Sequence, residues 1–231
     1  MNDIDLAEAL ARVGREAASL VSSGARVGLG TGRAAEAFIR ALGERVRGEG
    51  LAVVGVATSE RSATLAAEVG VAVEPLSAEV GLDLAFDGAD EVAPDLSLTK
   101  GLGGAMLRER VVAADAKRFI VLVTPEKLVG RLGERAPLPI EIAPFALPAV
   151  QRSLRALGAP RLRLAKDGAP YRTDNANAVI DLHAEGGGWS DVRALDRAVR
   201  AIPGVVDTGF FFDFVERVLV SESAGVRVLS A

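Results

Sequence analysis

Along the first half of the chain, short and mostly apolar runs alternate with segments in which apolar residues recur every three or four positions. The runs are Arg26 to Leu29, Leu51 to Ala57, Val71 to Pro75, Leu82 to Phe86 and Phe119 to Val123. Their length and mostly apolar character predict buried strands of a parallel sheet. Helical spacing is read between them. Ile4, Leu6, Leu10, Val13, Ala17 and Leu20 form one stripe, a second helix spans Ala34 to Leu42, a third ends at about Val69 and a fourth opens at about Ala105. Strand and helix in alternation predict a Rossmann-like parallel sheet with helices on both faces.

The rhythm changes where Pro137, Pro139, Pro144 and Pro148 cluster, which marks the boundary of a second unit. Beyond it the pattern reads strand (Leu138 to Ala143), helix (Pro148 to Leu157), strand (Arg161 to Ala165), strand (Ala178 to His183), helix (Asp191 to Ala201) and strand (Val205 to Phe211). That order, βαββαβ, is ferredoxin-like. Val215 to Ser221 and Val226 to Leu229 then read as a hairpin returning to the first domain. The expected architecture is an α/β catalytic domain of residues 1–134 and 205–231 with a smaller α+β domain of residues 135–204.

Polar residues with chemical potential gather where apolar strands end. Asp87, Asp90 and Glu91 follow the run ending at Phe86, where open parallel sheets place their ligands. Lys100 opens a second feature, a turn with Gly101, Leu102, Gly103 and Gly104 that leads into the helix carrying Glu109. Glycines at a helix start let backbone amides approach an anion. Gly30-Thr31-Gly32-Arg33 makes a similar strand–turn–helix passage. It is no dinucleotide fingerprint, because the third glycine position counted from Gly28 is Arg33, and no Gly-Lys pair forms a P-loop. Thr58, Ser59, Ser62 and Thr64 head the next helix, where hydroxyls cap it or contact phosphate oxygens. Asp87, Asp90 and Glu91 also have the oxygen ligands of a magnesium site, although their spacing matches no calcium loop. Lys127 follows the strand ending at Val123, on the rim expected for Asp87 and Lys100.

Composition narrows the choices. The 231 residues include no cysteine, which excludes disulfides, thiolate metal sites and cysteine nucleophiles, and one histidine, His183, which cannot build a histidine metal site. His183 alternates with Ile180 and Leu182 on a strand remote in sequence from the acids. The net charge of -4 argues against nucleic-acid binding. No apolar run approaches the ~20 residues of a membrane span, and the N-terminal stretch lacks a signal-like pattern, so the cytoplasm is expected. Phe210, Phe211 and Phe212 read as core or subunit-interface packing.

The segments DGADE (Asp87 to Glu91), KGLGGAMLRER (Lys100 to Arg110) and the hydroxyl pair Thr58-Ser59 occur in an order that resembles ribose-5-phosphate isomerase, type A. The resemblance implies an enzyme of the non-oxidative pentose phosphate pathway that interconverts D-ribose 5-phosphate and D-ribulose 5-phosphate through an enediolate. It implies no cofactor and no metal, and a homodimer or dimer of dimers. It assigns Glu109 as base, Lys100 and its turn (Gly101, Leu102, Gly103) to the oxyanion, and Asp87 to ring opening. Gly88, Ala89 and Asp90 would meet the sugar, and Gly30, Thr31, Gly32, Arg33, Ala34, Thr58, Ser59 and Lys127 complete its substrate contacts. The family reads GTGST where this chain has GTGRA, so two hydroxyls are lost at Arg33 and Ala34 and only their amides match. A sugar-phosphate-sensing regulatory module of related fold is the alternative, and a deaminase or lactonase of hexose phosphates is a third.

Overall fold

The computed structural model describes residues 3–230. In chain order its first elements are helix α1 (Asp3–Ser19), strand β1 (Arg26–Leu29), α2 (Arg33–Glu49), β2 (Val54–Ala57), α3 (Glu60–Glu68), β3 (Ala72–Val73), β4 (Leu84–Gly88), β5 (Glu91–Val92) and β6 (Leu98–Thr99). Then come α4 (Met106–Asp115), β7 (Phe119–Val123), β8 (Leu138–Ile142), α5 (Leu147–Leu154), β9 (Ala159–Leu162) and β10 (Ala178–His183). The chain ends with α6 (Val192–Arg200), β11 (Val205–Thr208), β12 (Phe210–Phe211), β13 (Val215–Glu222) and β14 (Gly225–Ser230). It divides into two compact units, one of Met1–Ala89, Arg108–Lys127 and Asp213–Ala231, the other of Asp90–Leu107 and Leu128–Phe212.

The first unit is built on a seven-stranded sheet in the order β14-β13-β7-β4-β1-β2-β3. All neighbours are parallel except the β13–β14 hairpin. Four of the apolar runs become the central strands β1, β2, β4 and β7, with Leu29, Phe38, Ile39, Phe86 and Ile120 forming the core on one side. The run Val71 to Pro75 instead shortens to β3 at the sheet edge, where Ala72 and Val73 are exposed because no further strand covers them. Phe38 of α2 and Phe86 of β4 stack with ring centroids 4.3 Å apart. Of the expected α1 stripe, Val13 and Ala17 are fully buried and Leu10 packs against the core, while the Ile4 side chain lies outside the described residues. Gly14 permits the close crossing of α1 and α2, since a Cβ there would stand 2.6 Å from the Ala37 backbone.

α2 is longer than expected. The helix expected to end at Leu42 continues through Gly43, which is interior because Val69 packs against it and a Cβ would meet that side chain at 2.6 Å. The helix ends at Gly50, whose φ of 68° makes the left-handed cap that glycine adopts without strain. β4 also extends past the expected Phe86: Asp87 pairs with Val121 of β7, so the aspartate is held inside the ladder.

The second unit carries a four-stranded antiparallel sheet in the order β11-β8-β10-β9, with α5 and α6 as the crossovers, which is the ferredoxin-like arrangement. Leu138, Ile140, Ile180 and Leu182 of the sheet pack on Val150, Leu154 and Val199 of the helices. A further sheet, β12-β6-β5, was not legible as strands β5 and β6 have two residues each. The strand expected over Val205 to Phe211 breaks at Gly209, and its second half, β12, pairs with β6. Compared with the expected boundary at residue 135, the second unit therefore also takes in residues 90–107, 128–134 and 205–212. Phe210 and Phe211 are fully buried within it. Among the described residues no helix is long and apolar enough to cross a membrane.

At one margin of the first unit Arg118, just before β7, forks onto Glu216 of β13 with Nε at 2.6 Å and Nη2 at 3.0 Å. The Arg118 hydrogen bond, helped by Arg217, lowers the Glu216 carboxyl from its ordinary 4.5 to about 2. A depressed carboxylate stabilises the fold above its unfolded value and loses that contribution as pH falls toward the folded one. The pair is partly solvated, so the effect is on the order of 1 kcal/mol. Arg118→Met should flatten the fall in urea midpoint as pH drops from 4.5 toward about 2. An unchanged profile would remove this pair from the acid sensitivity of the protein.

Candidate active site

The first unit collects its candidate residues where the strand order reverses. The chain proceeds from β1 outward through β2 to β3, then returns to the other side of β1 with β4 and continues to β7. The loops after β1 and β4 therefore diverge and leave a crevice at the carboxyl edge of the sheet, the place where open α/β sheets take ligands. Gly30 N–H donates to Phe86 O at 2.9 Å. Thr31 N–H donates to Asp87 Oδ1 at 3.0 Å, and Gly88 N–H donates to the same oxygen at 2.7 Å. Asp87 is 2% exposed, so these bonds orient a buried carboxylate. Gly30 is obligatory, because a Cβ there would lie 2.3 Å from the Asp87 carboxyl and 2.5 Å from Phe86 O.

A relay of hydroxyls borders that crevice. The Thr31 hydroxyl donates to Ser59 Oγ at 2.9 Å, Ser59 to Ser62 at 2.9 Å, and Ser62 to Gly30 O at 2.6 Å. Thr58 lies 2.7 Å from Thr31 through their hydroxyls and donates to Leu29 O at 3.2 Å. Ser59 is the N-cap of α3, accepting from Ser62 N–H at 3.1 Å. Of the two readings of this hydroxyl group, capping is thus realised by Ser59, and the other members tie the glycine turn to the start of α3.

Gly32 caps α2 with φ 100° and no side-chain bond, and Arg33 is the first residue of that helix. Arg33 is exposed and lines a groove with Leu10, Arg15, Glu36 and Arg40, between α1 and α2, while Ala34 is buried. Lys127 ends a short turn after β7, its N–H donating to Thr124 O at 3.0 Å, and is half-buried. Glu109 is 4% exposed on α4. One turn further on, Val112 covers β1, where a Cβ on Gly28 would meet it at 2.5 Å. A helix that leads back into a parallel strand runs antiparallel to the sheet. Glu109 is therefore displaced from Val112 toward the carboxyl edge, by about 4.5 Å at 1.5 Å per residue.

In the second unit, Asp90 and the Lys100 turn form one network. Asp90 N–H donates to Thr99 O at 2.8 Å, and Leu102 N–H donates to Asp90 Oδ2 at 2.9 Å. Gly101 adopts φ 104° and Gly104 φ 81°, conformations that favour glycine, and Gly104 N–H closes the turn onto Gly101 O at 2.9 Å. Lys100 is 2% exposed, with Nζ 5.7 Å from the Phe211 ring centroid. Its N–H donates to Gly209 O at 2.8 Å, and a Cβ on Gly209 would stand 2.2 Å from Lys100 O. Gly209, the break in the expected strand, is thus what admits the Lys100 backbone. Only its place inside an apolar run signalled it.

Glu91 departs from the magnesium reading of the acids after β4. It is fully buried and accepts Gly133 N–H at 2.7 Å, Arg135 N–H at 2.7 Å, Ala136 N–H at 3.0 Å and the Thr99 hydroxyl at 3.0 Å. Both oxygens are engaged, which makes Glu91 an anchor of the 133–136 loop instead of a solvated side chain or metal ligand. No group of three or more histidine, aspartate or glutamate side chains among the described residues is placed to hold a metal ion. His183, at the end of β10, pairs with Ala159 in the ferredoxin-like sheet. Three residues escaped the sequence reading altogether: Arg163, Tyr171 and Asp181, which contact each other or the glycine turn.

A glycine turn at the reversal of a parallel sheet, bordered by hydroxyls and a buried aspartate, together with a ferredoxin-like unit, defines an α/β protein of the class that takes small anionic ligands at a strand edge. The family Ribose 5-phosphate isomerase A (phosphoriboisomerase A) matches residues 54–225, and the chain belongs to that family. It is 45% identical over 220 residues to ribose-5-phosphate isomerase A of Thermomicrobium roseum, covering 94% of this chain and 92% of that protein. The corresponding protein of Deinococcus radiodurans is 49% identical over 216 residues, 92% of this chain and 93% of its own. Among solved structures, ribose 5-phosphate isomerase A from Methanocaldococcus jannaschii superposes with a TM-score of 0.92 at 40% identity, over 97% of this chain and 99% of that one. A D-ribose-5-phosphate isomerase in complex with phospho-erythronic acid also gives 0.92, at 34% identity and 97% and 98% coverage.

The contact at Gly30 is testable. Gly30→Ala should lower stability by roughly 1–3 kcal/mol in urea unfolding, the usual cost of forcing extra volume into a packed site. Gly48→Ala, in α2 with nothing within 4 Å of the added carbon, should be neutral or gain up to about 1 kcal/mol. Equal effects at the two positions would contradict the steric account.

Proposed function

We propose that this protein interconverts D-ribose 5-phosphate and D-ribulose 5-phosphate. Family membership over nearly the whole chain supports the reading most directly. The local chemistry agrees with it. Aldose–ketose isomerisation needs a base to carry a proton between C2 and C1 and donors for the oxyanion formed between the two steps. Glu109 serves as the base: its carboxylate takes the C2 proton of the open-chain aldose while the carbonyl electrons move to O1, giving the enediolate. The proton returns at C1 and the hydroxyl proton moves from O2 to O1, giving the ketose. Burial of Glu109 in a helix holds it rigidly for this transfer.

Lys100 and the glycine amides of the Gly101–Gly103 turn stabilise the enediolate oxygens, a preorganised arrangement often worth several kcal/mol. Asp87, oriented by two amides, exchanges the proton that opens the furanose ring, and Asp90 holds sugar hydroxyls. The turn after β1, with Thr58, Ser59 and Lys127, receives the rest of the substrate, phosphate included. The sensing-module alternative gains no support from the comparisons. The same reading carries a cytoplasmic location as an expectation, and a homodimer or dimer of dimers as one that gel filtration and light scattering test.

Glu109→Gln keeps shape and removes the base, so kcat should fall by roughly 10²- to 10⁴-fold with little change in KM. A variant that unfolds at the parent temperature yet isomerises near the parent rate would transfer the role to Asp87. Arg33→Ala tests whether a guanidinium at the start of α2 replaces the hydroxyls of the family turn. The expected result is a higher KM at unchanged kcat, and an unchanged KM would assign Arg33 to solvent.

A further inference from the structure

The glycine turn beginning at Lys100 is gripped by an arginine that the functional assignments leave without a role. Arg163 follows β9, with its N–H on Val179 O and its carbonyl accepting Tyr171 N–H, both at 2.9 Å. Its Nε donates to Asp181 Oδ2 at 2.9 Å and its Nη2 donates to Asp181 Oδ1, a forked pair whose side chains are only 12% and 17% exposed. Such a fork fixes the guanidinium plane. The remaining nitrogen, Nη1, donates to two successive carbonyls, Gly101 O at 2.9 Å and Leu102 O at 3.1 Å.

These two contacts fix more than two oxygens. In a planar trans peptide the C=O and the following N–H point in opposite directions. The Gly101–Leu102 peptide is thereby held at both ends, by Arg163 on its carbonyl and by Asp90 on its amide. The Leu102–Gly103 peptide is held at its carbonyl alone, so its other end, the Gly103 N–H, is aimed away from the arginine. Gly103 is exposed, and its N–H meets no acceptor among the described residues. Tyr171 completes the grip with a long bond to Gly103 O at 3.4 Å and with its ring 5.7 Å from the Arg163 guanidinium.

We propose that Arg163, fixed by Asp181, is a positioning residue that presents the Gly103 amide to the negatively charged oxygen of the enediolate. The proposal rests on the isomerase reading above. Arg163 contributes to the chemical step without touching the substrate, because a donor already aimed at the developing charge needs no reorganisation during the reaction.

The test compares the parent protein with Arg163→Met, the double variant Arg163→Met/Asp181→Asn, and Arg163→Lys. The double variant leaves no uncompensated carboxylate, whose burial would by itself be destabilising. Thermal unfolding identifies the folded variants. Conversion of ribose 5-phosphate and inhibition by phospho-erythronic acid, whose carboxylate carries the charge of an enediolate, are then measured. For both Met variants kcat should fall roughly 10- to 100-fold, inhibitor binding should weaken comparably, and KM should move less than about threefold. Arg163→Lys, with a single ammonium in place of the fork, should recover part of the loss.

Parent kcat in the folded double variant would overturn the proposal, since the effect of Arg163→Met would then come from the stranded Asp181 charge. A change confined to KM would overturn it as well. Should the Met variants not fold, parent kcat and inhibitor affinity in Arg163→Lys would be decisive against it. A parent protein inactive on ribose 5-phosphate would instead defeat the isomerase reading, and this inference with it.

Discussion

The hydrogen bonds from Thr31 and Gly88 to Asp87 Oδ1 are the constraint around which the first unit is arranged. They exist because β4 lies against β1 while the chain after β1 turns the other way, so two loops from distant parts of the sequence part over adjacent strands. A buried carboxylate is tolerable only when hydrogen-bonded, and bonds to a charged group contribute roughly 1.5–3 kcal/mol each. Here the donors are backbone amides, which cannot rotate away. The same geometry dictates Gly30, since any side chain there would occupy the space of the carboxylate. The Thr31–Ser59–Ser62 relay then connects this turn to β2 and α3, so three strand ends share one rigid edge.

The second unit uses buried carboxylates in a different way. Glu91 gathers three amides of the 133–136 loop, and Glu141 of β8 gathers Thr173, Asn175 and Asn177 through one oxygen at 2.9, 3.1 and 2.9 Å. Each lets a loop without regular structure satisfy its polar groups internally. Ala176, between the two asparagines, takes φ 63°, a conformation that the surrounding bonds impose on a residue with a Cβ. These loops flank the sheet from which Arg163 reaches the glycine turn. The unit is thus a brace for backbone geometry as much as a packed domain of its own.

What the sequence by itself determined was local. Short apolar runs specified the central parallel strands, with β1 and β7 at their observed limits, because strands covered on both faces are made mostly of apolar residues. The βαββαβ order emerged from periodicity for a similar reason, and the motifs from Asp87 to Glu91 and from Lys100 to Arg110 carried the family. Tertiary structure decided what periodicity cannot express. Gly43 stays inside α2 because Val69 lies against it, and Gly209 splits a continuous apolar run because the Lys100 carbonyl needs its space. Glu91, a carboxylate like Asp87 and Asp90 in the motif, becomes an anchor because the amides of Gly133, Arg135 and Ala136 converge on it. Arg163 was one of many arginines in the sequence, and only the fold brings its guanidinium to Asp181 and to two carbonyls some sixty residues away. Such roles depend on which backbone groups a fold leaves seeking partners, a quantity defined only once the chain is closed upon itself.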